Sequence, residues 1–116
     1  SVPALAAVEA ALVSASGFFE ERRPVSARRQ TVINANPALQ ERELSKLESM
    51  AELIGAALRR RGVTEPAATL TAHAGVAAFR VAFQRWLVDP ARRGFADHVR
   101  EAMAELKSVT GQTAPG

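Results

Sequence analysis

The side chains able to do chemistry are few and widely spaced. No cysteine occurs in the 116 residues, which excludes thiolate nucleophiles, thiolate zinc sites and disulfide frameworks. The two histidines, His73 and His98, fall in different predicted helices. A helical metal pair needs its second ligand one turn away; His98 has Glu101 at that spacing, and the residues one turn after His73 are apolar. No metal site is expected. Ser14 and Ser16 lack the Gly-x-Ser-x-Gly turn that exposes a nucleophilic serine, and no His-Asp arrangement points to them. Glu20 with Glu21 and Asp97 with Glu101 lie in charged helical stretches and read as solvated faces, not as acid–base pairs. The expectation is a non-enzymatic chain with no catalytic residues and no cofactor. His73 keeps two readings, a polar side chain bonded to a neighbour or water, and the polar anchor of a pocket.

The elements that must position these residues are helices, with no convincing strand. At 116 residues and 47% hydrophobic, the chain can enclose one core of useful size. One domain over 1–109 is expected, with a disordered tail over 110–116. Leu5, Val8, Leu12, Ala15 and Phe19 recur at helical spacing and predict one largely buried helix over 3–21. The longest charge-free apolar stretch, "ALVSASGFF", is too short to span a bilayer, so a soluble, cytoplasmic chain is expected. A short basic helix follows over 24–35. It stops at Asn36-Pro37, where Asn36 can cap the next helix and Pro37 lacks the N–H that would go unpaired there. From 37 to 61, Leu44, Leu47, Ala51, Ile54 and Leu58 form one apolar stripe, and Gly62 ends the helix.

The helix predicted over 65–88 differs in kind. Val76, Phe79, Phe83 and Trp86 make an aromatic stripe, and Ala74, Gly75, Ala78 and Ala82 make a smooth small-residue face beside it. A helix apolar over most of its circumference must be covered on several sides. The loop "DPARRG" ends it, and a last helix over 94–109 aligns Phe95, Val99, Ala102, Met103 and Leu106. The reading is all-α, a bundle of about five helices that dimerises through the last two in a four-helix interface.

The run "RRQTVINANPALQERELSKLESMAELIGAALRRRG", continuing to "AHAGVAAFRVAFQRWL", resembles the C-terminal effector-binding and dimerisation domain of TetR-family transcriptional repressors over about residues 15–108 by pattern. Its most specific pieces are the Asn-Pro-Ala-Leu joint with the Glu-Arg-Glu after it, the Arg-Arg-Gly helix end, and the alanine-rich helix closing in Arg85-Trp86-Leu87. The resemblance implies a helix-turn-helix head N-terminal to this chain, a pocket wall in the long helix, and a joint that bends between the two. Read from the residues alone, Asn36-Pro37 is also a good corner between packed helices.

The candidate ligand contacts are Phe18, Met50, Ile54, His73, Val76, Phe79 and Phe83, around a small hydrophobic or amphipathic effector; the same aromatic spacing also fits an ordinary core. Ala74, Gly75, Ala78 and Ala82, with Val99, Met103 and Leu106, are the candidate dimer contacts. Lys and Arg exceed Asp and Glu by 15 to 12. "EERRPVSARR" and "LRRRG" fit solvated helix ends, phosphate contacts or, for Arg22 to Arg29, a face toward the DNA-binding head. No residue here is expected to read bases, and no membrane contact is expected. The alternative is a helical protein-interaction module without a ligand.

Overall fold

The computed structural model describes residues 2–111, with side chains from residue 3. Those residues form an all-α fold of six helices: α1 (Val2–Ser14), α2 (Ser16–Glu21), α3 (Arg23–Asn34), α4 (Pro37–Arg60), α5 (Ala67–Leu87) and α6 (Phe95–Val109). The tail expected to be disordered lies, from residue 112 onward, outside the described residues.

The helix expected over 3–21 is two helices. Hydrogen bonding changes register at Ala15, where the Phe18 and Phe19 amides both donate to the Ala15 carbonyl. Ser14, Ser16 and Gly17 around the break hold a helix poorly. Pro3–Glu21 has the length and hydropathy of a membrane-crossing segment by composition. In the fold Ala4 and Val8 are buried with α5 and α6, but only 11% of that stretch is buried, so it is not the largely buried helix its pattern predicts.

Two long-range contacts fix α2 and α3 that the sequence pattern hid. Glu20, read above as solvated, accepts the Phe95 N–H at 2.6 Å. It thus places a carboxylate at the start of α6, which has no side-chain cap of its own. Arg23 donates to the Trp86 and Leu87 carbonyls at 3.2 and 3.1 Å, filling acceptors left open at the end of α5. Its guanidinium also sits 5.6 Å from the Trp86 ring.

The Asn36-Pro37 joint forms as its residues dictate. Asn36 Oδ1 accepts from the Ala38 and Leu39 amides, with Pro37 at the first helical position. Gln40 reaches back across the joint to the Asn34 carbonyl at 3.0 Å. At the far end of α4, Gly62 has φ +93°, and the Val63 and Gly62 amides bond back to Leu58 and Arg59, closing a Schellman turn that favours glycine. Glu65 then accepts from the Thr69 N–H and hydroxyl and from Arg59, tying α4 to the first turn of α5. The Thr69 bonds, assisted by Arg59, hold its carboxyl below the ordinary value.

The core sits around α5 and α6. Trp86, Phe95, Val99 and Met103 are its largest fully buried side chains. Helix α4 joins it through small residues: Ala51 and Gly55 are buried, and a Cβ on Gly55 would lie 3.7 Å from Ala72 Cβ. On the other side a Cβ on Gly75 would fall 2.7 Å from Val8 Cγ1, so α1 seats directly on α5.

Gly75, Ala78, Ala82, Val99 and Met103, expected as dimer contacts, are therefore buried within one chain. Close helix approach did require small residues, but α1 and α6 take it up first. Ala74 and Leu106 are the partly open members of that set.

Candidate functional site

Along α4 burial runs in a gradient. Ala51 and Leu58 are buried, Leu47, Met50 and Ile54 half-buried, and Leu44 is 52% exposed. The apolar stripe is continuous, but toward its N-terminus it is only partly covered and opens onto a cleft. Helix α3, turned back by the joint, faces that end across a gap, and α2 and the C-terminal half of α5 complete the walls. The result is a cleft of about 770 Å³, within the range of small-molecule sites.

Its floor and sides are apolar. Phe19, Phe79 and Phe83 form an aromatic floor, with Phe19 ring centroids 5.5 Å from Phe79 and 6.1 Å from Phe83. Ile33, Leu44, Leu47 and Met50 supply aliphatic walls, and Phe18 stands at the rim. Four of the expected ligand contacts, Phe18, Met50, Phe79 and Phe83, thus meet in one cleft.

The other three do not line it. Val76 and Ile54 lie further along α5 and α4, where the helices have already closed together. His73 is exposed, with Nδ1 3.0 Å from the Thr69 carbonyl and Nε2 3.3 Å from Glu48. The Thr69 contact first, and Glu48 second, raise its pKa. It bridges α5 to α4 and does not anchor the cleft, because the polar strip of α5 turns at His73 toward α4's charged face.

Two polar groups of the cleft, Arg22 and Arg29, come from a cluster that reads in the sequence as solvated helix ends. Arg22 lies 3.7 Å over the Phe18 ring and donates to the Phe18 carbonyl. Arg29 of α3 pairs with Glu43 of α4 at 2.7 Å, and Lys46 approaches the same carboxylate at 3.5 Å. This bridge spans the joint and also faces a smaller hollow of about 440 Å³ lined by Val32, Leu39 and Arg42. Arg80 and Gln84, one turn apart on α5, also line it, as do Gln30, Asn34 and Gln40 beside the joint. The missed signal was there to find: Arg80 and Gln84 flank Phe83 in sequence, and Arg29 and Glu43 fall at matching distances either side of Asn36.

A second cluster lies at the α5–α6 loop. Asp89 accepts from the Ala91 amide at 2.9 Å, from Arg93, and from His98 Nε2 at 2.8 Å. The Ala91 N–H foremost, then His98 and Arg93, hold the Asp89 carboxyl down to about 2. Arg93 in turn pairs with Glu101, so the carboxylate expected to be solvated belongs to this network. Among the described residues no group of three or more His, Asp or Glu could hold a metal ion.

The family described as MftR C-terminal domain, a TetR-type C-terminal domain, matches residues 2–111. The chain belongs to this family. Neither the curated proteins nor the solved structures compared with it give a match. Membership makes the chain part of a transcription regulator of the TetR type, in which ligand binding and dimerisation reside in the C-terminal domain.

Proposed function

We propose that this TetR-type domain senses a small hydrophobic or amphipathic effector and holds a one-component repressor as a homodimer in the cytoplasm, without catalysis. The observation that carries this reading is the 770 Å³ cleft between α2, α3, α4 and α5. A module that served only protein contacts has no use for an apolar hollow of this size inside its helices.

Effector binding acts by population shift. A ligand between α3 and α4 favours one angle of the Asn36-Pro37 joint, and two DNA-binding heads N-terminal to these residues then no longer match two half-sites. The test is operator release by the regulator carrying this domain. A cleft-binding compound should lower its operator affinity, and Phe83→Ala should change which compounds do so. Release that is indifferent to Phe83→Ala contradicts the assignment.

The dimer contact moves to a different stripe of α5. Leu70, Ala74, Ala77 and Val81 recur at three- to four-residue spacing over its first four turns, and Leu70 and Val81 are 67% and 41% exposed. Two alanines at its centre let a second helix approach closely. The outward side of α6 carries Arg100, Glu101 and Glu105, so α5 supplies most of the apolar contact and α6 its polar rim. Ultracentrifugation should give a dimer, and Leu70→Glu a folded monomer. A wild-type monomer at micromolar concentration overturns the pairing.

A further inference from the structure

The cleft is apolar in its walls and unbalanced in its charge. Arg22, Arg29, Lys46 and Arg80 line it against a single carboxylate, Glu43. A neutral effector leaves that excess uncompensated, and a cationic one is repelled by it. Three of the four cations are already engaged. Arg29 and Lys46 share Glu43, and Arg22 is held on the Phe18 ring and carbonyl. Arg80 has no hydrogen bond or ion pair among the described residues. It stands on α5 one turn from Gln84, also unpartnered there, and both flank the aromatic floor at Phe79 and Phe83.

We infer that the effector is an amphipathic carboxylate: its apolar body lies on Phe79, Phe83 and Met50, and its carboxylate is taken by Arg80 with Gln84. An arginine fork matches a carboxylate in a two-point geometry, and the Gln84 amide N–H₂ can donate to the same group. This assignment rests on the cleft being the effector site, and it goes further in fixing the ligand's charge and the residue that reads it.

The experiment is calorimetric titration of the domain with three probes of equal chain length: decanoate, 1-decanol and decylamine. Decanoate should bind about tenfold or more tighter than decanol, the difference that one charge-assisted hydrogen-bonded pair makes, and decylamine should bind weakest. Arg80→Gln should remove the advantage of decanoate over decanol. Arg22→Gln, a change at an already engaged cation, should keep most of that advantage. If decanoate and decanol bind equally, the cleft remains a ligand site and the anionic assignment is overturned. If decanoate is preferred but Arg80→Gln leaves the preference intact, Arg80 is not the reader and the proposal fails. If none of the three binds, the proposal fails together with the cleft reading.

Discussion

The two ends of α4 lie in different surroundings. Its C-terminal half packs through Ala51, Gly55 and Leu58 onto α5, in a core where Ala68, Ala72 and Ala82 have no measurable exposure. Toward its N-terminus it carries the larger side chains Leu44, Leu47 and Met50, which line the cleft, Leu47 and Met50 with one side against the core. Small residues let helices close; larger ones one or two turns earlier, facing a helix held off by a capped joint, leave a hollow. Stability and ligand space are thus assigned to opposite ends of one helix. Substitutions at the closed end should cost folding and spare ligand preference, and those at the open end should do the reverse.

The largest effect separates two neighbouring alanines. Ala78 is 5% exposed inside the core, whereas Ala77 is on the outer stripe of α5. Ala78→Glu should unfold the domain, since a buried unpaired carboxylate costs several kcal/mol in order of magnitude, roughly the whole stability of a small domain. Ala77→Glu should leave the helical circular dichroism intact and yield a monomer. Folded Ala78→Glu protein contradicts the placement of Ala78 in the core.

Next in size is Gly75→Ala. The added methyl meets Val8 at 2.7 Å, and a β-branched side chain in a helix has little room to turn away. Overpacking of this kind costs about 1–3 kcal/mol. Thermal melting should fall by several degrees, with ligand preference retained. Asn36→Ala acts at the open end, removing the acceptor for two α4 amides at a cost of about 1 kcal/mol. Its distinctive consequence is a looser α3–α4 angle, read as faster hydrogen exchange in the first turn of α4 while α5 and α6 keep their protection.

A further effect is pH-dependent. The folded Asp89 carboxyl, at about 2, lies below the ordinary 3.8. Its contribution to stability is therefore full above the ordinary value and is lost as pH falls through about 2. Asp89→Asn should flatten the acid limb of a denaturation profile in that window. His73 has the opposite sign: its raised pKa stabilises below the ordinary 6.5 and the contribution fades as pH rises past the folded value.

Periodicity and capping chemistry made the helices legible, including the Asn36 cap and the Gly62 stop, and four of the seven expected ligand contacts fall along the cleft. Partner choice was not legible. A small-residue face on α5 says that something packs closely there, and sequence spacing does not distinguish α1 of the same chain from α5 of another. The break at Ala15 was hidden because apolar periodicity runs on through a serine- and glycine-rich stretch. Glu20 and Arg23 looked solvated because their partners, the Phe95 amide and the Trp86 carbonyl, are backbone groups 75 and 63 residues away.

The most direct test of the central claim is a thermal-shift comparison of wild-type domain and Leu47→Trp, which fills the cleft from its half-buried wall without touching the closed end of α4. Apolar and amphipathic compounds that bind the cleft should raise the wild-type melting temperature with concentration. The same compounds should leave the folded Leu47→Trp variant unmoved. Equal stabilisation of both proteins, or no stabilisation of the wild type across a broad screen, contradicts the claim that this cleft is where the effector binds.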